Sequence, residues 1–297
     1  MGRLIASALA CLLLPLSGPA QTSFKVDVKL IRLLATVKDG SGKLIGGLEK
    51  TDFELLDSGV PQQISVFERQ TGQPLSVAIV VDVSGSTARE IPYEADALDR
   101  FLKALFREGD PHDRASLYTF NWEIRQQTGF TRDGKLIERR LRATKAEAGT
   151  SLYDGISLAA QDLDKLEGRK VMILITDGGD TTSSTRFHEA LEAAQRADAV
   201  VYAVLVVPIA NDPGRNVGGE NALELLTTGT GGRVFRPEIR EHFANAFDEI
   251  LRDLRTQYLI GYYPKNLPYQ SDSRYRRISL RTKRPELRVS TRSGYYE

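Results

Sequence analysis

The chain has 297 residues, 41% of them hydrophobic, which is enough for a large packed core and for more than one domain. Its formal charge is +1, and only Arg3 of the 40 basic side chains lies in the first twenty residues, so the remainder balances the 39 acidic ones. That balance argues against a nucleic-acid-binding protein.

Residues 1–20 read as a secretory leader. Arg3 precedes the apolar run Leu4 to Leu14, and Pro15 and the small residues Ser17, Gly18 and Ala20 follow, so cleavage is expected after Ala20. The run is too short to span a bilayer comfortably, and no transmembrane segment is expected after cleavage. Cys11, the only cysteine, lies inside the run with Ala8 three places before it, which disfavours a lipoprotein signal. The mature chain is therefore expected to be exported, periplasmic or secreted, and without thiol chemistry.

Residues 21–72 show strand signals without helices between them. Alternation runs from Phe24 to Val37, Asp39 to Gly42 forms a turn, and short strands are predicted at Phe53 to Leu56 and Ile64 to Arg69. From Ser76 the pattern changes. The apolar strand Val77 to Val81 ends in Asp82-Val83-Ser84-Gly85-Ser86, and Leu98, Phe101, Leu102, Leu105 and Phe106 then recur at helical spacing. A hairpin is predicted over Ala115 to Asn121 and Ile124 to Thr131. Thr150 follows Gly149 just before a helix carrying Leu152, Ile156, Ala159, Leu163 and Leu166. A second buried strand, Lys170 to Thr176, runs into Asp177-Gly178-Gly179-Asp180. Ala199 to Val207 and Arg233 to Phe235 are further strands, and Phe243, Phe247, Ile250 and Leu254 mark a last helix. Alternating strands and helices of this kind imply a doubly wound, mostly parallel α/β sheet.

After Arg255 the strand signal returns at Tyr258 to Tyr263, Arg276 to Leu280, Leu287 to Thr291 and Gly294 to Tyr296. Neither strand-rich flank is large enough to make a stable sheet alone, so residues 21–72 and 257–297 are expected to pair into one sandwich-like β-domain, with residues 73–256 inserted between its halves.

The three segments around Asp82, Thr150 and Asp177 together supply carboxylate and hydroxyl oxygens at strand ends and a helix start. Hard oxygen donors of this type suit a small divalent cation, which prefers octahedral coordination at about 2.0–2.1 Å. The order DxSxS, then T, then D in a TDG resembles the von Willebrand factor type A (VWA) family and its metal ion-dependent adhesion site, with matches at Asp82, Ser84, Ser86, Thr150 and Asp177. The resemblance spans residues 73 to 256, and the flanks look like bacterial exported proteins that carry this domain. It implies Mg²⁺, with Mn²⁺ or Ca²⁺ as substitutes. Ser84 and Ser86 are the implied direct ligands, Thr150 joins in the ligand-bound arrangement, and Asp82 and Asp177 act through water. The implied partner is a protein that presents an Asp or Glu to the cation, and in related domains the last helix shifts when that ligand binds.

Two rival readings remain open for the same residues. The cation could tie three loops together structurally while the β-domain carries interaction. An exported metal-dependent hydrolase lacks an evident general base; Ser84 stands where a haloacid dehalogenase-type phosphatase needs its second Asp, and no GxSxG elbow is present, so the chain is not expected to be an enzyme. Elsewhere, His112, His188 and His242 form no cluster by spacing. Asp154 and Asp180 are expected to pack near the threonine turn and to cap the following loop. The basic residues between Arg274 and Arg292 are expected on a solvated strand face, the C-terminal tyrosines in strand packing, and Pro208 to Gly219 in a glycine-rich loop.

Overall fold

The computed structural model describes residues 30–69, 72–87, 89–206, 216–237, 242–268 and 274–297. The predicted leader, Cys11 and the strand signal from Phe24 to Lys29 lie outside these residues, as do Val207, most of the loop from Pro208, and Tyr269.

The N-terminal region forms strands β1 (Ile31–Lys38), β2 (Phe53–Asp57), β3 (Val60–Pro61) and β4 (Ile64–Arg69). The α/β region then runs β5 (Leu75–Asp82), α1 (Ile91–Glu108), β6 (Arg114–Phe120), β7 (Ile124–Gln126), α2 (Gly134–Arg142), α3 (Leu152–Asp164), β8 (Arg169–Thr176), α4 (Phe187–Arg196), β9 (Ala199–Leu205), α5 (Val217–Thr230), β10 (Val234–Phe235) and α6 (His242–Thr256). The chain closes with β11 (Tyr258–Tyr262), β12 (Tyr275–Thr282), β13 (Arg288–Ser290) and β14 (Gly294–Tyr296).

The central sheet has the order β10-β9-β8-β5-β6-β7. All its pairings are parallel except that of β6 with β7. Every residue of β5, β8 and β9 is buried, so these strands read as continuous apolar runs, as expected of a sheet covered on both faces. Alternate β5 residues face opposite layers. Val77, Ile79 and Val81 join a core with α1, α2 and α6, whereas Ala78 and Val80 join one with α3, α4 and α5. Because β5 pairs with β6 on one side and β8 on the other, the chain reverses its winding direction at β5, and the carboxyl ends of β5 and β8 form the switch point where such sheets carry their ligand sites.

Two four-stranded sheets, β13-β1-β11-β4 and β14-β12-β2-β3, combine strands from both ends of the chain. β1 pairs antiparallel with β11, and β2 with β12. Leu33, Tyr258 and Ile260 from the first sheet share one core with Leu55, Ile278 and Leu280 from the second. Buried Asp57 joins them more specifically, since its Oδ2 accepts hydrogen bonds from Tyr262 at 2.7 Å and Tyr295 at 2.9 Å.

Two expectations need correction. The glycine-rich stretch continuing to Gly219 is not all loop: Asn216 caps α5 by accepting from the Gly219 amide, and Gly218 and Gly219 sit in its first turn. An Asn cap satisfies one of the amides that any helix leaves unpaired at its start, which offsets part of the glycines' low helix propensity. The basic segment also divides: Arg277 and Arg281 are exposed, but Arg276 is buried against Glu297, and the Arg292 side chain is largely covered where it meets Asp198. Tyr258, Tyr262 and Tyr295 are buried as strand packing predicts, while Tyr263 is exposed.

Asp57→Ala would strand two buried phenolic hydroxyls between the sheets. A loss of about 3 kcal/mol in urea unfolding is expected, with far-UV circular dichroism of the native state unchanged.

Candidate functional site

The site lies at the carboxyl ends of β5 and β8. Asp82, the last residue of β5, is buried. One carboxylate oxygen accepts from the Ser84 amide at 2.9 Å and the other from Thr176 Oγ1 at 2.8 Å. Thr87 Oγ1 donates to the Asp82 carbonyl at 2.8 Å, which folds the Ser84–Ser86 loop back over the strand end. Ser84 Oγ then lies 3.0 Å from Ser86 Oγ, and Ser86 Oγ donates to Asp177 Oδ2 at 2.8 Å. Asp82, Ser84, Ser86 and Asp177 thus form one hydrogen-bonded chain across two loops.

Thr150 arrives on a third loop. Gly149 turns there with φ 86°, and the Thr150 amide donates to Thr181 Oγ1 at 3.0 Å. The Thr181 amide returns a bond to the Thr150 carbonyl at 2.8 Å, which holds this turn beside the segment that follows Asp177. The Thr150 hydroxyl makes no hydrogen bond with any described residue, so it is not part of the Ser84–Asp177 chain. The third loop is also tied to the first: the Glu147 amide donates to the Val83 carbonyl at 3.2 Å.

Asp154 and Asp180 serve these loops. Asp154 accepts from the amides of Ser184 and Thr185 at 2.9 and 2.8 Å, and Asp180 Oδ1 accepts from Ser183 Oγ at 2.5 Å and the Tyr153 amide at 3.3 Å. Both therefore fasten the segment after Asp177 to the start of α3. His112 is exposed beside Asp110. Among the described residues no three His, Cys, Asp or Glu side chains are grouped closely enough to cage a metal. A cation here would depend on hydroxyls as well as carboxylates.

Two buried carboxyl groups beneath these loops, Asp82 and Glu94, are strongly perturbed. Burial pushes the Asp82 carboxyl up from its ordinary 3.8 to about 6; bonds from Ser84 and Thr176 pull it down, and the nearby Asp177 charge adds to the rise. Behind it on α1, Glu94 is fully buried, and neither carboxyl oxygen has a hydrogen-bond partner. Burial, then the charges of Asp82 and Glu90, hold the Glu94 carboxyl well above its ordinary 4.5. Sequence reasoning missed Glu94. Its signal was available, because Glu94 occupies a position in the apolar stripe formed by Ile91, Ala95, Leu98 and Phe101.

Trp122 was missed as well. It is 57% exposed, two residues beyond the end of β6, and its indole Nε1 donates to Glu147 Oε2 at 3.0 Å. A lone tryptophan just past a parallel strand's carboxyl end was the available hint.

An open, mostly parallel sheet with these oxygen-bearing loops at its switch point defines a doubly wound α/β domain. The family model for the von Willebrand factor type A domain matches residues 76–249, and the chain belongs to that family. Similar folds include the vWF domain of the type V pili tip protein Mfa5 from Porphyromonas gingivalis, with TM-score 0.51 and 16% identity over 61% of this chain and 95% of that one. A variant of the PilB minor pilin from Streptococcus sanguinis aligns with TM-score 0.50 and 12% identity, over 63% of this chain and 62% of that one. The pilus adhesin SpaC from Lactobacillus rhamnosus GG aligns with TM-score 0.50 and 12% identity, over 88% of this chain and 47% of the adhesin. No curated protein is similar enough in sequence to count as a relative. Among the described residues no helix is long and apolar enough to cross a membrane.

Glu94 sets a pH dependence. An acid whose folded pKa is raised keeps its proton in the native state after the unfolded chain has lost it, so stability falls as pH rises above 4.5 toward the raised value. In chelator, the wild type is expected to lose stability as pH rises above 4.5, at up to about 1.4 kcal/mol per pH unit from this group. Glu94→Gln should flatten that slope. Urea melts at several pH values measure it, and parallel slopes for the two proteins would refute the assignment.

Proposed function

We propose that the protein is an exported, cation-dependent protein-binding module. The observation that carries this reading is the linked set Ser84 Oγ, Ser86 Oγ and Asp177 Oδ2, spaced 3.0 and 2.8 Å apart on two loops, with Thr150 on a third. The donors are all oxygens and are weighted toward hydroxyls. That fits Mg²⁺, with Mn²⁺ or Ca²⁺ as substitutes, rather than a softer ion that prefers Cys or His.

In this reading Ser84 and Ser86 hold the ion through their hydroxyls, with Thr150 joining when a partner binds. Asp82 and Asp177 orient those hydroxyls and the ion's waters. Two carboxylates acting indirectly leave the ion under-neutralised, so when bound it supplies a positive centre for an anionic oxygen. The matching group is an Asp or Glu side chain of a partner protein. The fold is shared with domains of pilus proteins, one of them an adhesin, which is consistent with this role but supports only the fold at such low identity. Export rests on the leader pattern of residues 1–20 alone.

A purely structural ion is the weaker alternative. The three loops already fasten one another through Ser86 to Asp177, Thr150 to Thr181 and Glu147 to Val83.

Mn²⁺ binding followed by electron paramagnetic resonance tests the site. Ser84→Ala and Asp177→Ala are each expected to weaken binding at least about tenfold, in line with the loss of a ligand or its orienting partner, while circular dichroism stays native. Wild-type affinity in both variants would refute the proposal.

A further inference from the structure

We propose that Trp122 is the specificity-determining anchor of this site, selecting partner segments in which the acidic residue is flanked by a large apolar side chain. The inference rests on the cation-dependent reading above and extends it to the partner's chemistry.

Trp122 is fixed to the site rather than merely near it. The Asn121 carbonyl accepts from the Ser151 amide at 2.7 Å, and the Trp122 carbonyl from Ser151 Oγ at 3.3 Å, so two successive residues of the β6 exit are bound to the residue after Thr150. Gly149 passes so closely that an added Cβ would stand 2.7 Å from Trp122 Cβ. Glu147 holds the indole nitrogen and also bridges in parallel to Ser84. The ring is therefore oriented by a bond at one edge while more than half of the residue faces solvent. A preorganised aromatic surface loses little side-chain entropy on binding, which is why tryptophan often dominates interface energetics.

The surroundings favour the same occupant. Five large hydrophobic side chains are exposed among the described residues: Tyr93, Trp122, Val217, Leu225 and Tyr263. Three of them belong to the edge of the sheet that carries the site: Tyr93 in the first turn of α1, Trp122 after β6, and Val217 opening α5. The start of α5 reaches the site loop directly, since a Cβ added to Gly178 would meet the Gly219 carbonyl carbon at 2.9 Å. Arg89, between Ser86 and α1, and Lys145, on the Thr150 loop, are exposed and form no ion pair with any described residue. Apolar contact area beside exposed basic side chains complements an acidic residue with an apolar neighbour.

A peptide display library with one fixed Asp tests this on the full-length mature protein. Selection is run in Mg²⁺ with elution by EDTA, on the wild type, Trp122→Ala and Trp122→Phe, after confirming native circular dichroism for each. The wild-type and Trp122→Phe pools should be enriched in aromatic or branched aliphatic residues close to the Asp. The Trp122→Ala pool should elute with EDTA but lack that enrichment. A Trp-free peptide from the wild-type pool should bind Trp122→Ala at least about tenfold more weakly. It should also blue-shift wild-type emission, which comes from the chain's one tryptophan. EDTA-sensitive pools with the same flanking residues in the wild type and Trp122→Ala would overturn the anchor alone. A wild-type pool that is empty or indifferent to EDTA would overturn the cation reading and the anchor with it.

Discussion

The arrangement at the sheet edge depends on a buried carboxylate, Asp82. It has no access to solvent, yet each oxygen is engaged, one by the Ser84 amide and the other by Thr176 on the neighbouring strand. Leaving either oxygen unpaired at that depth would cost a few kcal/mol. The strand ends are therefore constrained together, and the next residues in each loop, Ser84 to Ser86 and Asp177, have little freedom in where their oxygens go. The Thr176 hydroxyl is used twice, because it also accepts from the Gly178 amide at 3.0 Å. One threonine thus links the carboxylate of one loop to the turn of the other.

This constraint explains why so much was legible in the sequence. Short, β-branched apolar runs such as Val77 to Val81 read as strands covered on both faces, and oxygen-bearing residues that follow such strands emerge at the carboxyl edge. The pairing of the two flanks also followed from a simple physical reason, as each had apolar strand faces and neither had a partner of its own. Other features depended on long-range contacts that no local pattern carries. Gly218 and Gly219 look like loop residues until an Asn cap and the packing of α5 are supplied. Arg276 and Arg292 look like a solvated face until Glu297 and Asp198 arrive from distant positions. The position of Trp122 just past β6 was legible, but its exposure was not, because that depends on where Ser151 and Glu147 of a distant loop meet it.

The β-strands at the two ends are physically continuous with the α/β part. Lys38, at the end of β1, pairs with buried Asp253 of α6 at 3.1 Å, and Arg233, just before β10, bonds the same carboxylate at 3.0 Å. Arg169, at the start of β8, reaches the Leu254 carbonyl and Gln257 Oε1, both at 2.5 Å, where α6 gives way to β11. A group buried between two cations is costly to move, since separating it from either leaves charge without compensation. Helix α6 is therefore held at its carboxyl end by residues from β1, from β8 and from the segment just before β10. Any displacement of α6 would have to break or carry Lys38, and so would be felt in the flanking sheets.

Glu94 gives the opposite kind of constraint. Its carboxyl group is buried on the helix behind Asp82 without any hydrogen bond, a placement that stability alone does not favour. Uncharged, it spares the interior a third negative charge beside Asp82 and Glu90; charged, it would deepen the negative potential behind the site. The two states differ most in the potential they set at Asp82, because the intervening protein screens poorly. An acid in this position makes the electrostatic character of the site depend on a proton held in the interior. The hydroxyl-rich mouth of the site and the carboxyl-rich interior behind it are thus parts of one charge distribution, assembled from α1 and the ends of two adjacent strands.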